Sequence, residues 1–103
     1  MELEVVWADL AKSELANRFK YYSEVAGHRV ASRIVKRIVT KADRILKDNP
    51  NIGSIETLLK DRKYEYRYLI SGNYKLIYRR ELSFVIVVSV FDCRRNPVNI
   101  LII

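Results

Sequence analysis

Three apolar-rich stretches follow one another at the C-terminal end of this chain, and their close spacing constrains the fold most. Residues 64–70 read Tyr-Glu-Tyr-Arg-Tyr-Leu-Ile, residues 74–79 read Tyr-Lys-Leu-Ile-Tyr-Arg, and residues 84–91 read Phe-Val-Ile-Val-Val-Ser-Val-Phe. β-Branched and aromatic residues make up at least half of each, as suits strands. In the first, Tyr64, Tyr66, Tyr68 and Ile70 face one way, and Glu65, Arg67 and Leu69 the other. Ser71-Gly72-Asn73 and Glu81-Leu82-Ser83 are short enough to be hairpin turns. The last stretch is apolar on both faces apart from Ser89, which predicts an interior strand.

The preceding residues supply helices. Leu3 to Trp7 alternates as a short first strand, and Asp9 is placed to cap a helix beginning near Leu10. Ala11, Leu15, Phe19, Tyr22 and Ala26 then recur at helical spacing until Gly27. From His28 to Asp48 the period is clearest. At 100° per residue, Arg29, Arg33, Lys36, Arg37, Lys41, Arg44 and Lys47 fall within an arc of roughly 140°. Ala31, Ile34, Val35, Ile38, Val39, Ala42, Ile45 and Leu46 take the opposite arc, and Asn49-Pro50-Asn51 ends the helix. A helical turn through Leu58-Leu59 interrupts the connector from Ile55 to Lys63. The expectation is one α+β domain over residues 1–103, ordered β-α-α-β-β-β: an N-terminal strand, an antiparallel helical hairpin across one face of the sheet, then a three-stranded antiparallel meander.

No apolar run reaches the length of a membrane helix, and the acidic start Met1-Glu2-Leu3-Glu4 is unlike a secretory leader, so a cytoplasmic location is expected. One cysteine and one histidine exclude an internal disulfide and a zinc site, and no Gly-rich phosphate loop or other cofactor motif is present. The net charge of +7 is concentrated. Residues 10–50 hold ten Lys/Arg against four acids, and residues 60–95 hold nine against four. Such a surface attracts nucleic acid or an acidic protein partner.

His28 has no partner near it in sequence and reads as a surface residue; Cys93, beside Arg94 and Arg95, reads as a semi-buried filler. The cations of the last third carry more chemistry. Lys60, Arg62 and Lys63 enter the first strand, Arg67 lies between tyrosines, Tyr74 and Arg79 bound the second strand, and Arg94 and Arg95 end the third. Guanidiniums grip phosphates in pairs of hydrogen bonds, and tyrosines stack on unpaired bases. A set of this kind could align an RNA 2′-hydroxyl for attack on the adjacent phosphate, although a lysine base would need a depressed pKa. Equally, Arg67 could pair with Glu65 or Glu81 while the tyrosines fill the core.

Several motifs in this order resemble the RelE/ParE superfamily of bacterial type II toxin–antitoxin toxins. They are the Trp-ending first strand, the second helix closing at Leu46-Lys47-Asp48-Asn49-Pro50, the strands Tyr66-Arg67-Tyr68-Leu69 and Asn73-Tyr74-Lys75-Leu76-Ile77-Tyr78, and the ending Phe91-Asp92-Cys93-Arg94-Arg95-Asn96-Pro97. The resemblance implies a growth-inhibiting toxin neutralised by a cognate antitoxin that wraps around it. Members similar to RelE cut mRNA on the ribosome; Arg67, Arg94 and Lys60 or Lys63 match their catalytic positions, but no tyrosine follows Tyr78 to complete the set. Members similar to ParE poison DNA gyrase, and Arg94-Arg95-Asn96-Pro97 resembles their usual ending. On the first reading Arg67, Arg94, Lys63 and Lys60 would be catalytic. On either, Arg62, Arg67, Tyr74, Arg79, Arg94 and Arg95 would contact the target. A nucleic-acid or protein-binding module without toxicity is a reading from another class. The apolar ending Val98-Asn99-Ile100-Leu101-Ile102-Ile103 fits a further strand, a segment folded over the core, or an edge for antitoxin or homodimer contact.

Overall fold

The periodicity of residues 28–46 decides where the main core lies. In a computed structural model, which describes residues 3–103, helix α2 (His28–Leu46) buries Ala31, Ile38, Ala42 and Leu46 and turns its arginines to solvent. Helix α1 (Asp9–Ala26) packs beside it. The two join at Gly27, whose φ of 90° lies where a side chain would be strained. Ala8, not Asp9, occupies the N-cap, and no side chain caps the helix. Asp9 instead begins the first turn, 3.8 Å from Lys12, where its charge complements the helix dipole. The second helix also stops two residues before the expected Asp48.

Strands β1 (Glu4–Trp7), β2 (Ser54–Ile55), β3 (Tyr66–Ser71), β4 (Tyr74–Glu81) and β5 (Phe84–Asp92) form one sheet in the order β1-β5-β4-β3-β2. The expected meander is present as β3-β4-β5, and β1 joins it parallel to β5, with Val5 opposite Val85. β5 is therefore interior, as its two apolar faces require. The first meander strand begins at Tyr66 rather than Tyr64. Short β2 was not expected; two residues are too few to leave a periodic signal. Gly72-Asn73 and Leu82-Ser83 make the turns, Leu82 at a φ of 53°.

The register sorts side chains to two faces. Tyr74, Leu76, Tyr78, Val85, Val87 and Val90 join Ile38, Ala42 and Leu46 beneath the helices. On the other face Ile77, Val88 and Phe91 pack against Leu59 and Ile100. Between the pairs Ile77–Ser89 and Tyr78–Val87 the extra residue Val88 makes a bulge. This second face is roofed by two 3₁₀ segments, Thr57–Leu59 and Pro97–Ile102. The apolar ending is thus folded over the sheet and is not a strand. Pro97 lacks a ladder donor, and the Asn96 side chain accepts from the Val98 N–H at 3.1 Å to start the turn.

Candidate functional site

Arg67 lies opposite Tyr78 on the helix-side face, at the corner where the 50–53 loop meets β3. Its guanidinium donates to the Gly53 carbonyl at 2.8 Å, to the Asn51 carbonyl at 3.3 Å and to Glu65 at 3.0 Å. Gly53 in turn donates its N–H to the Tyr78 hydroxyl at 3.0 Å. A β-carbon at position 53 would lie 2.5 Å from the Tyr68 carbonyl oxygen, so only glycine fits there. Burial raises the Tyr78 pKa against the opposing pull of the Gly53 N–H and Arg67, leaving a neutral phenol unsuited to act as a base. Arg67, Arg79 and Arg80 share a groove of about 240 Å³ with Glu65. Arg79 also pairs with Glu81 at 2.8 Å and stacks 4.0 Å from the centre of the Tyr64 ring.

The second cluster gathers where β5 ends. Arg94 grips Asp92 with two hydrogen bonds of 2.9 and 2.7 Å, which hold the Asp92 carboxyl below its usual range. Arg95 stacks 5.4 Å from the Phe91 ring centre, and Arg18 lies 3.9 Å from Asp92. A cavity of about 110 Å³ is bounded by Glu14, Asn17, Arg18, Asp92 and Arg95. Glu14 accepts from the Ser89 hydroxyl at 2.8 Å and from the Val90 N–H at 2.9 Å. Its carboxyl is raised chiefly by burial, against which those two hydrogen bonds act. Sequence reasoning passed over Glu14 and Arg18. The available signal was their spacing from Ala11, three and seven residues on, which puts two charged side chains on the face that α1 buries. Cys93 is exposed rather than semi-buried, because the chain turns outward where its N–H meets the Asn73 carbonyl at 2.8 Å.

Tyr74 stands at the second cluster, opposite Asp92, with only 3% of its surface exposed. Its hydroxyl meets that of Tyr22 at 2.9 Å, and burial together with that contact pushes its pKa up to about 12. Lys60, Arg62 and Lys63 line a groove with Tyr64 and Glu65 on the roofed side of the sheet. Arg62 donates to the Leu101 carbonyl at 2.6 Å, tying the two 3₁₀ segments together. Exposed His28 meets the Ser23 hydroxyl at 3.1 Å through Nδ1.

The structure brings Arg67, Arg79 and Arg80 to one corner and Arg94, Arg95 and Arg18 to another, and it does not join the two. Arg67 is opposite Tyr78, whereas Asp92, two residues before Arg94, is opposite Tyr74. Four residue steps along β4 separate those positions, about 13 Å at the usual strand rise. Both corners present cations suited to anionic groups. Among the described residues, no group of three or more His, Cys, Asp or Glu is placed to hold a metal ion, and no helix is long and apolar enough to cross a membrane.

No curated protein sequence matches the chain significantly. Nine chains of solved structures match its fold. One belongs to the chromosomal ParDE TA system from P. aeruginosa, with a TM-score of 0.73 and 16% identity, over 88% of this chain and 96% of that one. The likeness shows the fold, including the β-α-α order and the meander. The sequence model of the ParE toxin of the type II toxin–antitoxin system parDE matches residues 5–97, from the first strand to the proline after the arginine doublet. Because that match spans nearly the whole chain, the protein belongs to the ParE toxin family of type II toxin–antitoxin systems.

Proposed function

We propose that this toxin acts in the cytoplasm on DNA gyrase and is held inactive by a cognate antitoxin. The observation that carries the choice of target is the separation of Arg67 from Arg94. A ribonuclease of the related kind would use both arginines on one scissile phosphate. Here Arg67 is committed to the carbonyls of the 51–53 loop and Arg94 to Asp92, on different corners of the sheet. The β5 corner then supplies the target contact through exposed Arg94 and Arg95, with Arg62 and Arg79 as further cations on the roofed side.

Purified toxin incubated with gyrase, ATP and plasmid should accumulate protein-linked broken DNA, and Arg94→Ala/Arg95→Ala should reduce that accumulation at least tenfold. Co-expressed antitoxin should restore growth. Ribosome-dependent mRNA cuts that disappear in Arg67→Ala, with no gyrase-linked breaks, would overturn the reading in favour of the nuclease. A homodimer would use Val98, Leu101 and Ile102, which remain exposed on the roof. Sedimentation equilibrium of Ile102→Asp should then give a monomer where the parent protein gives a dimer.

A further inference from the structure

We propose that the outward face of α2 is a binding surface for the phosphate backbone of duplex nucleic acid, separate from both arginine corners. Arg29, Arg33, Lys36, Arg37 and Arg44 are all exposed. None of the five takes part in an ion pair or side-chain hydrogen bond among the described residues, whereas Arg67, Arg79 and Arg94 each hold an acid. Nothing inside the fold therefore accounts for them. At 100° and 1.5 Å per residue they occupy an arc of about 100° along about 22 Å of helix. A duplex presents one phosphate charge per ~1.7 Å of its axis, so a ridge of this length lies along several phosphates at once.

The same face argues against a protein as its occupant. Its other exposed positions beside the ridge are Ser32, Thr40 and Asp43, with no apolar side chain; His28, the remaining exposed residue of α2, lies farther round the helix at its first position, its ring 5.4 Å from that of Phe19. Protein interfaces use arginine too, but around an apolar core with aromatic anchors, and this ridge offers neither. Without aromatic rings the ridge also has nothing on which to stack unpaired bases. Charge matched to a regular polyanion is what remains, and such contacts position a duplex without reading its sequence. The inference does not depend on the gyrase reading, since binding is measured with toxin and DNA alone.

The test is fluorescence anisotropy of a labelled 20-base-pair duplex titrated with the full chain. With about four phosphates neutralised, the logarithm of affinity should fall with that of salt at a slope of about −4. Affinity should then drop a few hundredfold between 50 and 200 mM salt. Arg33→Gln/Arg37→Gln should bring the slope to about −2, Arg33→Lys/Arg37→Lys should keep it near −4, and Lys12→Gln/Lys20→Gln on α1 should leave it unchanged. Circular dichroism of each variant verifies the fold. An equal loss in the α1 and α2 variants would overturn the proposal, since net charge alone would then suffice. So would binding of a polyglutamate 20-mer more tightly than the duplex, or no duplex binding at 50 mM salt.

Discussion

The two faces of the sheet are covered in different ways, and the difference separates what is rigid here from what can open. Under the helices, α1 and α2 satisfy their own backbone groups and need only an apolar stripe to dock. On the opposite face, two 3₁₀ segments of three and six residues do the covering, too short to be stable alone. They depend on a few fixed points. Leu59 and Ile100 are buried, Arg62 holds the Leu101 carbonyl, and Lys75 pairs with Glu56 at 2.8 Å while stacking 4.2 Å from the Tyr68 ring centre. The lesson is that equal burial does not mean equal consequence, because the two covers differ in how readily they can collapse around a defect.

The same truncation on each face tests this most directly. Ile38→Ala, beneath the helices, should cost about 4 kcal/mol in denaturant unfolding and act on the whole molecule. Ile100→Ala, on the roof, should cost about 2 kcal/mol, because the 3₁₀ segment can settle into the space. It should also speed amide exchange of residues 97–103 while sparing α2. If both variants cost the same and expose the same amides, the two faces form one cooperative unit and the contrast fails. Between them in size stands Lys75→Met, which leaves Glu56, only 3% exposed, without its cation. It should cost about 3 kcal/mol, and a loss below about 0.5 kcal/mol would mean that apolar contacts alone hold the roof.

The smallest effect concerns pH at the end of the helix-covered face. Burial raises the Glu14 carboxyl above its ordinary 4.5, so the folded chain keeps a proton that the unfolded chain releases. Stability from this group is full below that ordinary value and is lost as the pH rises through the raised one. Asp92, lowered by Arg94, behaves oppositely and loses its contribution as the pH falls through its lowered pKa. Glu14→Gln keeps an acceptor for Ser89 and Val90, and it should remove the decline above pH 4.5 while leaving the acid-side loss intact. Melting temperatures between pH 3 and 7 decide this, and an unchanged profile in Glu14→Gln would show that Glu14 does not titrate as described.

The fold was largely legible because its main elements announce themselves locally. The 28–46 helix follows from one basic and one apolar stripe, the meander from Gly72 and from the apolar run of β5, interrupted only at Ser89 before Asp92, and the family from motifs along those same elements. The roof was less legible. Residues 98–103 read as strand or cover alike, since so short an apolar ending has no period of its own, and the choice rests on Pro97 and Asn96 meeting a sheet face with room for Ile100. The candidate site was legible only as a set of residue types. Arg67 stands out in the sequence as a cation within a strand, and Arg94 and Arg95 as a doublet just past one, but their neighbours come from distant segments: Gly53 for Arg67, and Glu14 and Arg18 for the Asp92 corner.

By itself, then, the sequence determined the order of the two helices and the four longer strands, the basic ridge on α2 and membership of a toxin family, all of them consequences of local pattern. The tertiary structure alone decided that Arg67 and Arg94 lie on separate corners and that Tyr74 is buried against Tyr22. Strand register and the helix across the sheet fix those distances. Both join residues far apart in sequence, so no short-range pattern in the chain encodes them.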